Sequence, residues 1–243
     1  MKISKTGTRY LVALVILVVL SGVVLLLTQR SVGSSYNNAS RTTFEGEIIV
    51  LTAPITDGEY SLEKAMSSRR SHRSFSTDSI SIDDLSQLLW AAQGITEEEH
   101  HLRTAPSAGG LYPTMIFVCV NNVEDLEQGI YVYEPISHTL TLIEQGDFSK
   151  DVFEASLSQN AFSNSAATLL IAANYSITQE RYGERTERYV HIEAGHIGQN
   201  ICLQATALDL GTVPIGAFED KKIQNIFLTG DHYTPLYLFP VGV

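Results

Sequence analysis

One stretch limits what this chain can become: Tyr189 to Phe218, YVHIEAGHIGQNICLQATALDLGTVPIGAF. Between Glu193 and Asp209 it carries no charged residue, and a solvent-facing helix of that length needs a polar, charged face. Ala194, Ile197, Ile201, Ala205 and Leu208 recur at helical spacing as one stripe. Gly195, Gly198 and Cys202 form a second stripe of small side chains. The pattern predicts a helix buried on most sides, with room for a neighbouring backbone to come close. Leu210-Gly211 reads as its stop, Gly supplying a left-handed turn. Val213-Pro214-Ile215-Gly216 then makes a rigid turn with a bare backbone amide. Two readings follow. The residues alone favour a core helix ending in a tight loop. The other is a central helix at a dimer interface, delivering the Gly216 backbone to a flat ligand.

The rest of the chain is one sizeable domain with an N-terminal appendage, within 243 residues. Leu11 to Leu27 is apolar apart from Ser21 and Gly22, and Lys2, Lys5 and Arg9 precede it. Seventeen helical residues span roughly 26 Å, the short end of a bilayer-crossing helix. A basic flank keeps the N-terminus cytoplasmic, and no A-x-A-like cleavage site follows Leu27. The expected plan is a cytoplasmic N-terminus (1–9), a single-pass signal anchor (10–27) and a polar linker (28–43). The domain from 44 to 243 then lies outside the cytoplasm, and Asn38-Ala39-Ser40 fits a glycosylation acceptor in an exposed linker. Beyond residue 30 there remain twelve basic against twenty-seven acidic residues, a net of −15. Such a domain is not a nucleic-acid binder. Cys119 and Cys202 both lie in apolar runs and read as buried thiols, in no metal-ligand spacing.

Along the domain, Ile48–Leu51 suggests a short entry strand and 61–68 a helix. Ser81 caps a second helix with Asp84 at its third position, and Leu85, Leu88, Leu89 and Ala92 form its buried face before Gly94. Met115–Val120 and Ala166–Ala173 are continuous apolar runs, so buried strands. Gly129–Tyr133 and Thr139–Ile143 flank a turn and predict a hairpin. Residues 148–157 and 180–210 read as helical, and Pro235–Phe239 as a last strand. Hairpins mixed with helices indicate an α+β sheet with helices packed on it.

Several clusters could carry chemistry. Arg69, Arg70 and Arg73, with Ser71, put three cations into five residues of an acidic domain. They suit an anion such as phosphate, or a solvated basic turn. Leu102–Pro113, LRTAPSAGGLYP, offers a shelf of small residues (Pro106, Ser107, Ala108, Gly109 and Gly110) against which a planar ligand could lie. It lacks G-x-G-x-x-G spacing and precedes a strand, so it is not a dinucleotide fingerprint. By itself it is a tight turn. Arg181-Tyr182 stands among further charges, where a Tyr can relay a proton or a helix can pair its charges across turns. Glu97-Glu98-Glu99-His100-His101 reads as a solvated loop rather than a metal site. No G-x-S-x-G elbow supports a serine hydrolase.

Seven segments in order resemble the FMN-dependent nitroreductase family, specifically its SagB-type branch, which includes azoline dehydrogenases. They are RRSHRSF (69–75), LSQLLWAAQGIT (85–96), RTAPSAGGLYP (103–113), GIYVYEP (129–135), RYGERTERY (181–189), EAGHIGQN (193–200) and LGTVPIGAF (210–218). The resemblance implies an α+β fold, a mixed sheet packed with helices, whose residues 44–243 form an FMN-binding domain. It implies a homodimer through long central helices with FMN between the subunits. Arg69, Arg70, Ser71 and Arg73 would hold the FMN phosphate. Pro106, Ser107, Ala108, Gly109 and Gly110 would line the isoalloxazine from the partner subunit. Pro214, Ile215 and Gly216 would face its reactive edge, and Tyr182 would be catalytic. The implied activity is hydride transfer to or from a small molecule or a peptide, with NAD(P)H a compatible donor. The alternatives are azoline oxidation on a modified peptide, or a flavin-binding module without turnover. Two departures stand out: azoline dehydrogenases commonly show Lys-Tyr where this chain has Arg181-Tyr182, and family members often carry basic residues past the last strand.

Overall fold

The computed structural model describes residues 44–243; the expected anchor, linker and glycosylation motif lie outside them. Among the described residues no helix is long and apolar enough to cross a membrane. The chain runs through β1 (Ile48–Val50), α1 (Leu62–Ser68), α2 (Ile82–Gln93), β2 (Ile95–Glu97), β3 (Leu102–Arg103) and β4 (Thr114–Val120). It continues through β5 (Gly129–Glu134), β6 (Thr139–Gln145), α3 (Ser149–Ala155), β7 (Ala167–Ala173) and α4 (Tyr175–Tyr182). The last elements are α5 (Thr186–Ala207), β8 (Gly211–Thr212), α6 (Asp220–Ile226) and β9 (Thr234–Gly242).

Seven strands form one sheet in the order β1-β6-β5-β4-β7-β9-β8. Its ladders are antiparallel, and an isolated bridge between Ile80 and Val123 is parallel. The central strands read as unbroken apolar runs because both their faces are covered. Ile116, Val118, Val120, Leu169 and Ile171 point to the layer of α2 and α5, meeting Leu85, Leu88, Leu89, Ala194, Ile197 and Ile201. Phe117, Cys119, Leu170 and Ala172 point the other way, to Val152, Ala155, Ile223 and Phe227 beside α3 and α6. A two-fold alternation inside a seven-residue apolar strand thus builds a three-layer core.

The expected caps and thiols appear. Ser81 Oγ accepts the Asp84 amide at 3.0 Å and donates to its carboxylate at 2.6 Å, and Ser61 caps α1. Burial pushes the Cys119 thiol up to about 12 and the Cys202 thiol up to about 11, so both stay protonated and inert.

The uncharged helix is α5, and its stripe packs as the spacing predicts, Ala194, Ile197, Ile201 and Ala205 buried and Leu208 half-buried. The small-residue stripe divides. Gly198 and Cys202 are buried, whereas a Cβ on Gly195 would meet nothing within 4 Å. A Cβ on Gly198 would lie 2.6 Å from Cζ of the fully buried Phe239. The end of the helix corrects the sequence reading. The left-handed residue is Asp209 (φ 57°), not Gly211. Leu210 N donates back to Ala205 O at 2.9 Å, closing a Schellman turn that a short polar Asp can enter.

Gly198→Ala is therefore expected to destabilise the protein by about 1–3 kcal/mol, the cost of overpacking a full core. Gly58→Ala, where an added Cβ would meet nothing within 4 Å, should leave chemical denaturation unchanged.

Candidate functional site

Gly211, freed from the role of helix stop, has another one. A Cβ there would lie 2.9 Å from Cε1 of Phe75 and 3.0 Å from Cβ of His72. A Cβ on Gly242 would lie 2.8 Å from Cβ of the same Phe75. The buried phenyl ring is wedged against the bare backbone of β8 and β9. His72 N donates to Thr212 O at 3.0 Å, and Ser76 N to Val243 O at 2.8 Å. The segment following α1 is pinned to the end of the sheet at three points.

That pinning sets the arginines. Arg69 is half-buried, and Arg70, Ser71 and Arg73 are exposed. Arg70 Nη1 donates to the carbonyls of Ser67 and Arg69, at 3.0 and 2.8 Å. None of Arg69, Arg70 and Arg73 forms an ion pair with a carboxylate among the described residues. The positive charge of Arg69 is felt at the Cys202 thiol, where it opposes the effect of burial. In the adjoining turn, Ile215 exchanges both backbone hydrogen bonds with Leu238, at 2.8 and 2.9 Å. This leaves Pro214 half-buried and Gly216 exposed, its N–H without a partner among the described residues. The arginine loop and the Pro214–Gly216 turn therefore share one corner of the sheet. Beside Gly216, Tyr237 closes a hollow of about 260 Å³ with His191, Ala194, Gly195 and Leu236. His191 is held there by a 2.8 Å bond to the Tyr175 hydroxyl.

Within one chain, Pro106–Gly110 makes different contacts. Gly109 and Gly110 both take φ 66°, a region suited to glycine. A Cβ on Gly109 would lie 2.7 Å from both Arg181 Nη1 and Tyr182 Oη. Arg181 Nη1 donates to Gly109 O at 3.4 Å. Tyr182 is half-buried, its ring edge-on to Tyr189 at 4.8 Å and 5.5 Å from the Arg181 guanidinium. The shelf and the Arg181-Tyr182 pair, far apart in sequence, are thus neighbours. Beneath them lies Glu193, 1% exposed, which accepts from Ser107 Oγ and from Thr114 Oγ1 at 2.6 Å. Burial raises its pKa, while those hydroxyls and Arg103 oppose the rise.

Neither Phe75 nor Glu193 stood out as a site residue from sequence. The signal for Glu193 was its isolation, a lone acid inside an otherwise uncharged apolar stripe. The loop at 97–101 lies at the surface, as a solvated loop would. Ligating atoms of Glu97, Glu99 and His100 lie within 4.8 Å of one another on the surface. The Glu97 carboxylate is already engaged by the amides of Glu99 and His100 and by the His100 ring.

The chain matches the nitroreductase family over residues 66–243. It is 41% identical over 184 residues to a provisionally named nitroreductase of Methanocaldococcus jannaschii, covering 76% of this chain and 91% of that one. It is also similar to the crystal structure of a provisionally named nitroreductase from Anabaena variabilis, with TM-score 0.72 and 29% identity. That match covers 84% of this chain but 44% of the solved one, so the chain spans less than half its length. The Escherichia coli microcin synthetase McbBCD complex, solved with truncated pro-MccB17 bound, shares the fold at TM-score 0.64 and 19% identity. There the coverage is 85% of this chain and 79% of the other.

Removing the wedge should release the arginine loop. Phe75→Ala is expected to cost about 3–5 kcal/mol and to speed hydrogen exchange at the His72 amide, both readable by exchange mass spectrometry with denaturant titration.

Proposed function

The chain belongs to the nitroreductase family, and from that premise we propose an oxidoreductase whose residues 44–243 hold FMN between two copies of the chain. The observation that carries the reading is the corner of the sheet shared by the Gly216 turn and the arginine loop, whose three arginines have no carboxylate partner among the described residues. Arg69, Arg70, Ser71 and Arg73 fit a phosphate, since guanidinium forks and a hydroxyl give charge-assisted bonds worth about 1.5–3 kcal/mol each. Pro214, Ile215 and Gly216 fit the edge of a planar ring, with the Gly216 N–H free to donate. Bound FMN supplies the hydride chemistry.

Pro106, Ser107, Ala108, Gly109 and Gly110 make no hydrogen bond to that corner in their own chain. A homodimer would bring the partner's copy of the shelf across. The outer face of α5 supports such pairing: His191, Ile192, Gly195, His196 and Gln199 are exposed and carry no acid. The basic flank and apolar run at 1–27 support a membrane anchor with the domain outside the cytoplasm, and protease added to intact cells should then remove a C-terminal tag.

Within the family the motif set favours the SagB-type branch, and Tyr182 is the residue placed to move a proton beside the shelf. Its neighbour decides the reaction class. Arg181 stays protonated and cannot accept a proton, and its guanidinium already donates to Gly109 O. Removing a proton from an azoline ring needs a base that Arg181 is not. Reduction of a nitro group or quinone can draw protons from solvent. The protein is accordingly assigned to reduce small electron-poor acceptors more readily than it oxidises azoline peptides, the modified-peptide reaction being the second reading.

Purified protein should show a flavin absorption spectrum. Arg69→Glu should lose FMN while Arg188→Glu keeps it; equal retention removes the anion-site assignment. Arg181→Lys should raise azoline oxidation without improving acceptor reduction. Efficient azoline turnover by the unaltered protein, with acceptor reduction no faster than free FMN, would reverse the assignment.

A further inference from the structure

We propose that Glu193 is a positioning residue for the 106–110 shelf, acting through the Ser107 hydroxyl; this rests on the reading of that shelf as a flavin-contacting surface. The shelf has little packing of its own. Pro106, Gly109 and Gly110 are exposed, Ser107 and Ala108 half-buried, and two of the five residues have no side chain. Two side-chain hydrogen bonds tie it to distant segments among the described residues. One is the long Arg181 bond to Gly109 O, 3.4 Å at the surface. The other is Ser107 to Glu193, from the shelf into the buried side of α5.

The hydrogen bonds around Glu193 run in one direction. Arg103 Nη1 donates to Gln93 Oε1 at 2.8 Å, and Gln93 Nε2 donates to Thr114 Oγ1 at 2.9 Å. Thr114 Oγ1 in turn donates to Glu193 Oε1. From the other side, Tyr112 N donates to Ser107 Oγ at 2.9 Å, and Ser107 donates to Glu193 Oε2. A guanidinium has no acceptor and a backbone N–H cannot accept, so neither end of the chain can reverse. Both hydroxyls therefore finish on Glu193, one on each oxygen. A carboxylate offers two acceptors to two donors; an amide offers one. The arrangement binds α2, β3, β4 and α5 to the shelf through a single side chain. The cation–π contact of Arg103 over Tyr112, 4.5 Å, closes the circuit back to the loop.

The isosteric change Glu193→Gln keeps the core filled and leaves one hydroxyl without an acceptor, so it separates direction from volume. Ser107→Ala removes the tether from the other end. Both are measured without cofactor, by hydrogen exchange at the Tyr112 amide, and with it, by FMN titration and the position of the bound flavin's visible band. Each variant should speed Tyr112 exchange and weaken FMN binding about tenfold, and each should shift the band. The double variant should be no weaker than either single one, because both cut the same link. Unchanged Tyr112 exchange in Glu193→Gln overturns the proposal, as do effects that multiply in the double variant. Faster exchange in a protein that binds no FMN, altered or not, upholds the tether and removes the flavin reading instead.

Discussion

Everything in this fold depends on how closely the central helix can lie on its sheet. Gly198 is where the approach is tightest, with the Phe239 ring filling the space a side chain would take. That contact accounts for the small, uncharged residues on the face of the helix turned to the sheet. A helix pressed against β7 and β9 on one side, with α2 beside it, has no room for solvated charge on its buried face, while its outer face at His191, Ile192, Gly195, His196 and Gln199 stays exposed within one chain. The same closeness brings the two ends of the helix into register with different parts of the sheet's rim.

The two ends do different work. Near the C-terminal end, the Schellman turn at Asp209 directs the chain into β8, and β8 with β9 provides the bare glycine backbone on which Phe75 rests. The arginines are carried on that ring. Toward the N-terminal end, Glu193 reaches the shelf and Tyr182 lies over it. Glu193 and Cys202 are nine residues apart, roughly 14 Å along the axis. A rigid helix thus fixes the spacing between the arginine corner and the small-residue shelf of one chain, which loops alone would leave variable.

Much of this was legible in the sequence, for identifiable reasons. Local signals carried well: Ser81 with Asp84 as a cap, the apolar runs of β4 and β7, the hairpin of β5 and β6. The arginine run and the Gly109-Gly110 shelf were visible because their compositions are unusual. What stayed hidden was pairing across distance. Nothing near Phe75 says that its ring will meet glycines 136 and 167 positions later. Gly211 was misread because two demands produce the same residue. A left-handed turn wants glycine, and so does a surface that must accept an aromatic ring; the nearby Asp209 satisfied the first and left Gly211 for the second. Glu193 belonged to a recognisable segment, but its partners, 79 and 86 residues away, come from the strand and loop opposite.

The charge distribution completes the argument. Beyond residue 30 the chain has a net of −15, so its general field repels anions. Against that background the arginines at 69, 70 and 73 are three cations with no carboxylate partner among the described residues. Lys150, Lys221 and Lys222 meet carboxylates, whereas Lys64, Arg185 and Arg188, also exposed, form no ion pair among the described residues either; what sets 69–73 apart is three cations within five residues. Arg70 and Arg73 are exposed and Arg69 half-buried, so these guanidinium groups stay hydrated and within reach of an anionic ligand. On the proposed reading, a doubly charged phosphate would form bonds there that a singly charged, weakly accepting anion cannot match. The surrounding negative field then acts as a filter. It discourages loose association of anions over the rest of the surface and, on the proposed reading, favours this corner for one, beside the Gly216 amide and the hollow at Tyr237.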